Sequence, residues 1–375
     1  MMKKLILILL IIESANTSVA QTSNSFRKED YDIKQFKKKQ IEISIPKSTI
    51  QLSEVSSIEI VDARPDTSAI GFMQRGFKKP VFVILHEGLR NEMQSFVNKY
   101  FHFSQSDSSY KILMVIKKLW LTDEFELKED SFLNKQKRSS GLFHKDSTSG
   151  IAIKIEFYIQ KKQNYYALYR YDSTLQETYS VLNYGSEYLI ESFTNSFSKL
   201  SSIETSLPKI IANRRAFNIE EISNHISQNF DLRILKDTLL KKGVYMSFEE
   251  FKNNSPSVSD FEVKKEKLID MLYIKQPDGT EYGPRNIWGY CDGQNSFVQS
   301  FNNFFLLQKK ENAFYIYGAK KIISDNSSQS TYVPPTYGSQ GQVISPGGFM
   351  PMGGAGNPKL ELKPFLLDWD TGKLY

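Results

Sequence analysis

From Ile151 to Ile159 every second residue is large and apolar: Ile151, Ile153, Ile155, Phe157 and Ile159, with Ala152, Lys154, Glu156, Tyr158 between them. Successive side chains of a strand point to opposite faces, so a period of two fits a half-buried β-strand and no helix. Lys161 to Asn164 makes a short polar turn into Tyr165–Asp172, which predicts a hairpin. Such a hairpin needs a cover for its apolar face, and two flanking segments have the spacing to supply one. Leu85, Leu89, Met93, Phe96, Val97 and Tyr100 recur every three or four residues, the stripe of an amphipathic helix. Leu189, Ile190, Phe193, Phe197 and Leu200 form a second stripe, with Ser186 placed to act as N-cap and Glu187 in the first turn. Further strands are expected at Ile41, Ile43 and Ile45, at Ser57–Ala63 and at Tyr110–Leu121. The expected fold over 41–202 is therefore α+β, an antiparallel sheet with one face covered by two helices.

The remaining stretches divide by texture. Residues 124–150 are charged and serine-rich and read as a long excursion between two strands. Residues 203–242 are a mixed acidic and basic helical connector, with Gly243 after Lys241-Lys242 as its C-cap. From 243 to 324 short aromatic strands alternate with turns at Pro277-Asp278-Gly279 and Asp292-Gly293, which predicts a smaller aromatic-rich β-meander module. Residues 325–358 hold seven Gly and five Pro with one charge, Asp325, a composition too poor in aliphatic residues to order itself, so a flexible segment is expected. Residues 359–375 regain β character and are expected to return as a last strand.

At the other end, Lys3-Lys4 precedes an unbroken apolar run, Leu5–Ile12, and Ser18-Val19-Ala20 supplies small residues before Gln21. This is the three-part pattern of a secretory signal peptide spanning 1–20, cleaved between Ala20 and Gln21 and followed by a polar leader, 21–40. Eight apolar residues fall short of the roughly 20 that cross a bilayer as a helix, so an uncleaved inner-membrane anchor is the lesser alternative. A lipidated cysteine is not available after that run, because the chain's one cysteine is Cys291. The expected location is exported, in the periplasm or at the periphery of the outer membrane, with no transmembrane segment in the mature chain. A net charge of +6 on 375 residues, with lysines scattered, does not indicate nucleic acid.

One run of charged residues is a candidate for chemistry. Asp62, Arg64 and Asp66 are two apart, so on an extended strand they share a face, and a guanidinium is suited to holding carboxylates. The bland reading is that Arg64 bridges both acids where Pro65 ends the strand. Cys291 has no histidine near it in sequence and reads as a small buried apolar residue. His86, His102, His144 and His225 share no metal-ligand spacing, and no phosphate loop or nucleophile elbow is present. No catalytic residue, metal or cofactor is indicated.

Two resemblances follow from these residues. The run Val61-Asp62-Ala63-Arg64-Pro65-Asp66 with Gly71, then a helix, long strand, hairpin and second helix, resembles the YajG-like family of bacterial envelope lipoproteins over about Ile41–Ser201. It implies an α+β envelope module with no established catalysis; the lipidated N-terminal cysteine of that family is missing here. Gly243–Lys252, Ile287–Gly293 and Leu367–Gly372 together are similar to a type of uncharacterised exported protein of Bacteroidota. The reading that results is an exported, non-enzymatic cell-envelope protein that binds a protein, lipid or glycan. The main alternative is a hydrolase of envelope polymers whose acids converge only in the fold.

Overall fold

The structure is a computed structural model, and it describes residues 33, 36–44, 48–73, 80–106, 109–126, 147–177, 179–266, 269–284, 286–300, 303–319, 330–333, 336–337, 343–345, 348–351 and 362–374. The expected signal peptide, its expected cleavage site at Ala20–Gln21, and most of the expected excursion and leader lie outside those residues.

The protein is mixed α and β, mostly strands, with a large sheet followed by a later β-rich module. The first sheet is built from β1 (Lys38–Ile41), β2 (Val55–Asp62), β3 (Gly71–Met73), β4 (Val81–Leu85), β5 (Tyr110–Glu126), β6 (Ser147–Lys161), β7 (Asn164–Glu177) and β8 (Ala216–Phe217). Its order is β1-β4-β3-β5-β6-β7-β8, with β2 sharing with β3 the same edge of β5. The hairpin read from the alternation is β6–β7, closed by a two-residue turn in which Lys162 has a φ of 57°.

The sheet is mixed, and this corrects the expectation of an antiparallel one. β2 runs parallel to β5, and β1 parallel to β4. For β2 and β5 the reason lies in the connection: α1 (Gly88–Tyr100) intervenes between them, and a crossover through a helix returns the chain in the same direction. Buried Leu89, Met93, Phe96, Val97 and Tyr100 of α1 join Leu189, Phe193, Phe197 and Leu200 of α2 (Val181–Ile203) in one core with Ile151, Ile153, Ile155, Phe157 and Ile159. Leu85 belongs to β4, not to the helix.

α2 begins six residues before the expected start, with Val181 in place of Glu187 as its first residue. Its N-cap is Ser180, whose hydroxyl accepts from the Leu182 amide, and buried Asp123 accepts from the Val181 amide at 2.8 Å. A carboxylate on the first free amide of a helix satisfies an orphan donor and suits the positive end of the dipole. Ser186 instead donates to the Glu42 carbonyl.

The second sheet face is covered as well. α4 (Ile219–Gln228), which follows α3 (Leu207–Asn213), packs Ile222 with Ala63, Leu113, Val115, Tyr158 and Tyr165. The connector is thus a series of short helices, ending with α5 (Arg233–Lys236). Gly243 does not cap it: it opens a strand, where a side chain would meet Pro256.

The second module is a six-stranded sheet in the order β9 (Gly243–Tyr245), β13 (Gly289–Cys291), β14 (Ser296–Ser300), β15 (Asn303–Lys310), β16 (Ala313–Ala319) and β17 (Leu362–Leu366). Strands β13 to β16 are a meander, and β17 pairs antiparallel with β16. β10 (Phe261–Glu266), β11 (Ile269–Lys275) and β12 (Glu281–Tyr282) form a small separate sheet. Within 325–358 the described residues pair as two short nested ladders, Ser330–Val333 with Gly348–Pro351 and Thr336–Tyr337 with Val343–Ser345.

The three segments that carry the second resemblance meet in one aromatic stack. Phe248 and Phe251 of α6 (Phe248–Lys252) lie against Trp288 and Trp369, with 4.2 Å between the Phe251 and Trp288 centroids. Cys291 is fully buried in the same core, and burial pushes its thiol up.

Gly71 marks where the chain rejoins the edge of β5. A Cβ there would lie 2.0 Å from the Leu121 carbonyl oxygen, in backbone that cannot yield. Gly71→Ala is expected to lower stability by about 1–3 kcal/mol, the cost of overpacking a rigid site, measured as a drop in the urea midpoint with an unchanged m-value.

Candidate functional site

The strand β2 leaves the sheet at Ala63, whose amide still donates to the Ile116 carbonyl, and the chain re-enters beside Leu121. Between these points the loop Ala63–Ile70 carries the Asp62-Arg64-Asp66 motif along an opening in the β5 edge. Arg64 holds Asp62 with a two-pronged fork, Nε and Nη2 each 2.8 Å from one carboxylate oxygen. Its remaining donors reach the carbonyls of Ala69 and Thr67. Arg64 therefore staples the loop to itself. It does not bridge both acids, which corrects the simpler reading, because the loop curls and turns Asp66 away.

Asp66 points across to the second module. Its Oδ1 accepts from the Ser68 amide (2.7 Å) and hydroxyl (2.6 Å). Its Oδ2 accepts from the Tyr315 hydroxyl at 2.6 Å and from Lys310 Nζ at 2.9 Å. Four donors fill the usual capacity of a carboxylate. Burial pushes the Asp66 carboxyl up, but the hydrogen bonds from Ser68, Tyr315 and Lys310, with the Lys310 charge, outweigh it and hold it below the ordinary value. Tyr315 is raised well above the ordinary phenol, by burial first and then by the Asp66 charge.

The β15–β16 hairpin supplies these partners and docks on the loop by its tip. The Asn312 amide donates to the Pro65 carbonyl (3.1 Å), and the Thr67 amide donates to Glu311 (3.0 Å). Around the polar contact Ile33, Ala69, Phe72, Phe82, Trp120 and Tyr315 form an apolar seam. Ile33 and Phe36, inside the stretch read as a polar leader, pack into that seam; Phe36 lies against Phe82 and Tyr317.

Beyond the seam's apolar part lies a cluster of charges. A β-bulge in β5 between Ile116 and Lys118 leaves Lys117 as an extra residue, and Lys118 stands opposite Lys154 of β6. The Leu367–Gly372 segment covers them: Asp368 reaches Lys118 at 3.0 Å and Asp370 reaches Lys154 at 2.6 Å, while Trp369 between them joins the aromatic stack. Burial raises the Asp370 carboxyl, but Lys154, Lys118 and Arg170 reverse the effect and leave it low. Alongside, Glu156 accepts from Lys117 (3.2 Å), Tyr158 (2.9 Å) and approaches His225 of α4 (3.2 Å). Burial raises Glu156 too, and the charge of Lys117, the Tyr158 hydrogen bond and His225 together bring it below its ordinary value.

A cavity of about 60 Å³ lies between the modules, walled by Arg64, Asp66, Trp120, Lys118, Lys154 and Asp370 among others. Of the residues singled out from sequence, Asp62, Arg64 and Asp66 lie at this seam, and Cys291 lies in the second module's core. His225 joins the Glu156 cluster, while His86 lines a separate open groove with Glu42, Glu87 and Glu92. Lys154, Lys118, Asp368 and Asp370 were missed; the signal available was two lysines side by side in a strand and a Lys on the polar face of another. Among the described residues no group of three His, Cys, Asp or Glu is arranged to hold a metal.

Comparison with known proteins adds little to this geometry. No family model matches the chain, and no curated protein matches it. Two solved structures are similar to part of it, each at 7% identity. One is an uncharacterised protein, covering 45% of this chain and 98% of its own, with a TM-score of 0.26. The other is a protein of Xanthomonas campestris assigned to DUF330, covering 44% and 94%, with a TM-score of 0.28. At such scores neither supports an argument about activity, and neither supports the resemblance to proteins of Bacteroidota.

Asp66, Asp370 and Glu156 all sit below their ordinary values when folded, so their stabilisation is complete at neutral pH, above the unfolded values. It is lost as the pH falls below about 4 and through the folded values. Acid unfolding followed by tryptophan fluorescence is expected to shift to lower stability over that range, and Asp66→Asn is expected to flatten the dependence. A double-mutant cycle of Asp66→Asn with Tyr315→Phe is expected to show a coupling of about 1–3 kcal/mol, read from urea unfolding.

Proposed function

We propose that the protein is an exported, non-enzymatic component of the cell envelope, at the periplasm or the periphery of the outer membrane, that works by binding a protein, lipid or glycan partner. The observation that supports this reading is the use made of its acids. Asp66 spends both oxygens on four donors that join two modules, and Asp370 is engaged by lysine. A carboxylate in that position organises structure and is a poor proton acceptor for a substrate.

The hydrolase alternative calls for a pocket with two carboxylates whose proton affinities are pushed apart, one high enough to donate. Asp66 and Asp370 do share the seam cavity, but both are displaced in the same direction, downward. Export rests on the N-terminal pattern Lys3–Gln21. Among the described residues no helix is long and apolar enough to cross a membrane.

Protein recovered from cells and sequenced from its N-terminus is expected to begin at Gln21; a chain starting at Met1 in the cytosol would contradict export. Purified protein incubated with envelope polymers is expected to release no product, while crosslinking in the intact envelope recovers a discrete partner. Product formation that disappears in Asp66→Asn would replace this reading with the hydrolase.

A further inference from the structure

We infer that the seam cavity is a binding site for a small oxyanion, a phosphate or carboxylate group, held by Lys118, Lys154 and the indole N–H of Trp120, a place where the Asp370 carboxylate now stands in for the ligand. This goes beyond the proposed function and does not depend on it, since an oxyanion site would stand in a binding protein or an enzyme alike.

Lys118 and Lys154 are direct cross-strand partners, and Trp120 and Ala152 are the next pair but one along the same two strands. Residues two apart on a strand share a face, so two ammonium groups and an indole lie on one face of adjacent strands. Like charges directly opposite each other weaken a sheet, and burial makes the repulsion stronger; the Lys154 side chain is 10% exposed and that of Lys118 19%. Such a pair persists only where an anion lies between or beside the two. Here two are supplied from the far end of the chain: Asp368 Oδ1 is 3.0 Å from Lys118 Nζ, and Asp370 Oδ2 is 2.6 Å from Lys154 Nζ and 3.9 Å from Lys118 Nζ.

Trp120 is the second, independent observation. Trp120 is 2% exposed, lines the same cavity, and its Nε1 has no hydrogen-bond partner among the described residues. A buried N–H left unpaired is costly, so the position calls for an acceptor that the described residues do not provide. The cavity of about 60 Å³ is roughly four times the space that one water requires, enough for a small oxyanion. Ammonium groups and an indole only donate, so the complementary ligand is one that only accepts.

The two acids of the covering turn differ in how firmly they are held. The Asp368 side chain is 2% exposed, and it accepts from the Asp370 amide and the Thr371 hydroxyl as well as from Lys118. The Asp370 side chain is 46% exposed. An entering oxyanion therefore replaces Asp370 on Lys154 while Asp368 keeps the turn in place.

The test is a titration of the full chain with inorganic phosphate and, separately, with acetate, at constant ionic strength, following the indole ¹H–¹⁵N resonance of Trp120 assigned with Trp120→Phe. A saturable downfield shift with either anion supports the site, and the tighter of the two identifies its class. Asp370→Asn is expected to tighten binding about threefold, by removing the competing carboxylate at a weak, partly exposed ion pair. Lys154→Gln is expected to weaken it about tenfold or more, by removing a charge-assisted hydrogen bond. If Lys154→Gln fails to fold, the Asp370→Asn titration decides alone. A Trp120 resonance that neither anion moves, which means water only, or binding unaltered in Asp370→Asn, overturns the proposal.

Discussion

A single carboxylate taken out of water organises the contact between the two modules. Asp66 is 3% exposed at its side chain, and an isolated charge there would be prohibitive. It is tolerated because half of its donors, from Ser68, come from its own loop and the other half, from Lys310 and Tyr315, come from the second module. Neither module alone satisfies it. Replacing Asp66 would leave the buried Tyr315 phenol without its acceptor and Lys310 without its counter-charge, a loss of about 3–5 kcal/mol, the cost of removing one member of a buried ion pair. Loop and hairpin thus fit as one unit: the Arg64 staple fixes the curl that aims Asp66, and the tip Glu311-Asn312 closes over Pro65 and Thr67.

The charged part of the seam works by a different balance. Lys117, Lys118 and Lys154 project from a sheet face that the second module partly covers, and each is met by an acid: Glu156, Asp368 or Asp370. Buried ion pairs often contribute little net stability against apolar replacements, so their effect here is on orientation. They fix which part of the Leu367–Gly372 turn lies over which strand, while the apolar seam of Phe72, Phe82, Trp120 and Tyr315 supplies the burial.

Much of the first module was legible in sequence because its signals are local. The alternation at Ile151–Ile159, the stripe from Leu89 to Tyr100 and the turn at Lys162-Gln163 each depend on neighbours a few residues away. What escaped depends on distant segments. The polar residues of that alternation, Lys154 and Glu156, read as a solvent face, yet they lie beneath segments more than 60 residues later in the chain. Ser186 has the right residue type for a cap, but Asp123, 58 residues before Val181, selects Ser180 instead. The Asp62-Arg64-Asp66 spacing implies one shared face, which the loop does not keep, since a period of two applies only while the chain stays extended. Asp66 finds Tyr315 across 249 residues, a distance at which composition and spacing are silent.

The seam makes the two modules one cooperative body. Differential scanning calorimetry of the full chain measures this directly. One transition is predicted, with calorimetric and van't Hoff enthalpies equal, and it should separate into two when Asp66 is replaced by Ala. Two independent transitions in the unaltered protein would contradict it, because they would mean that Asp66, Lys310 and Tyr315 touch without holding the modules together.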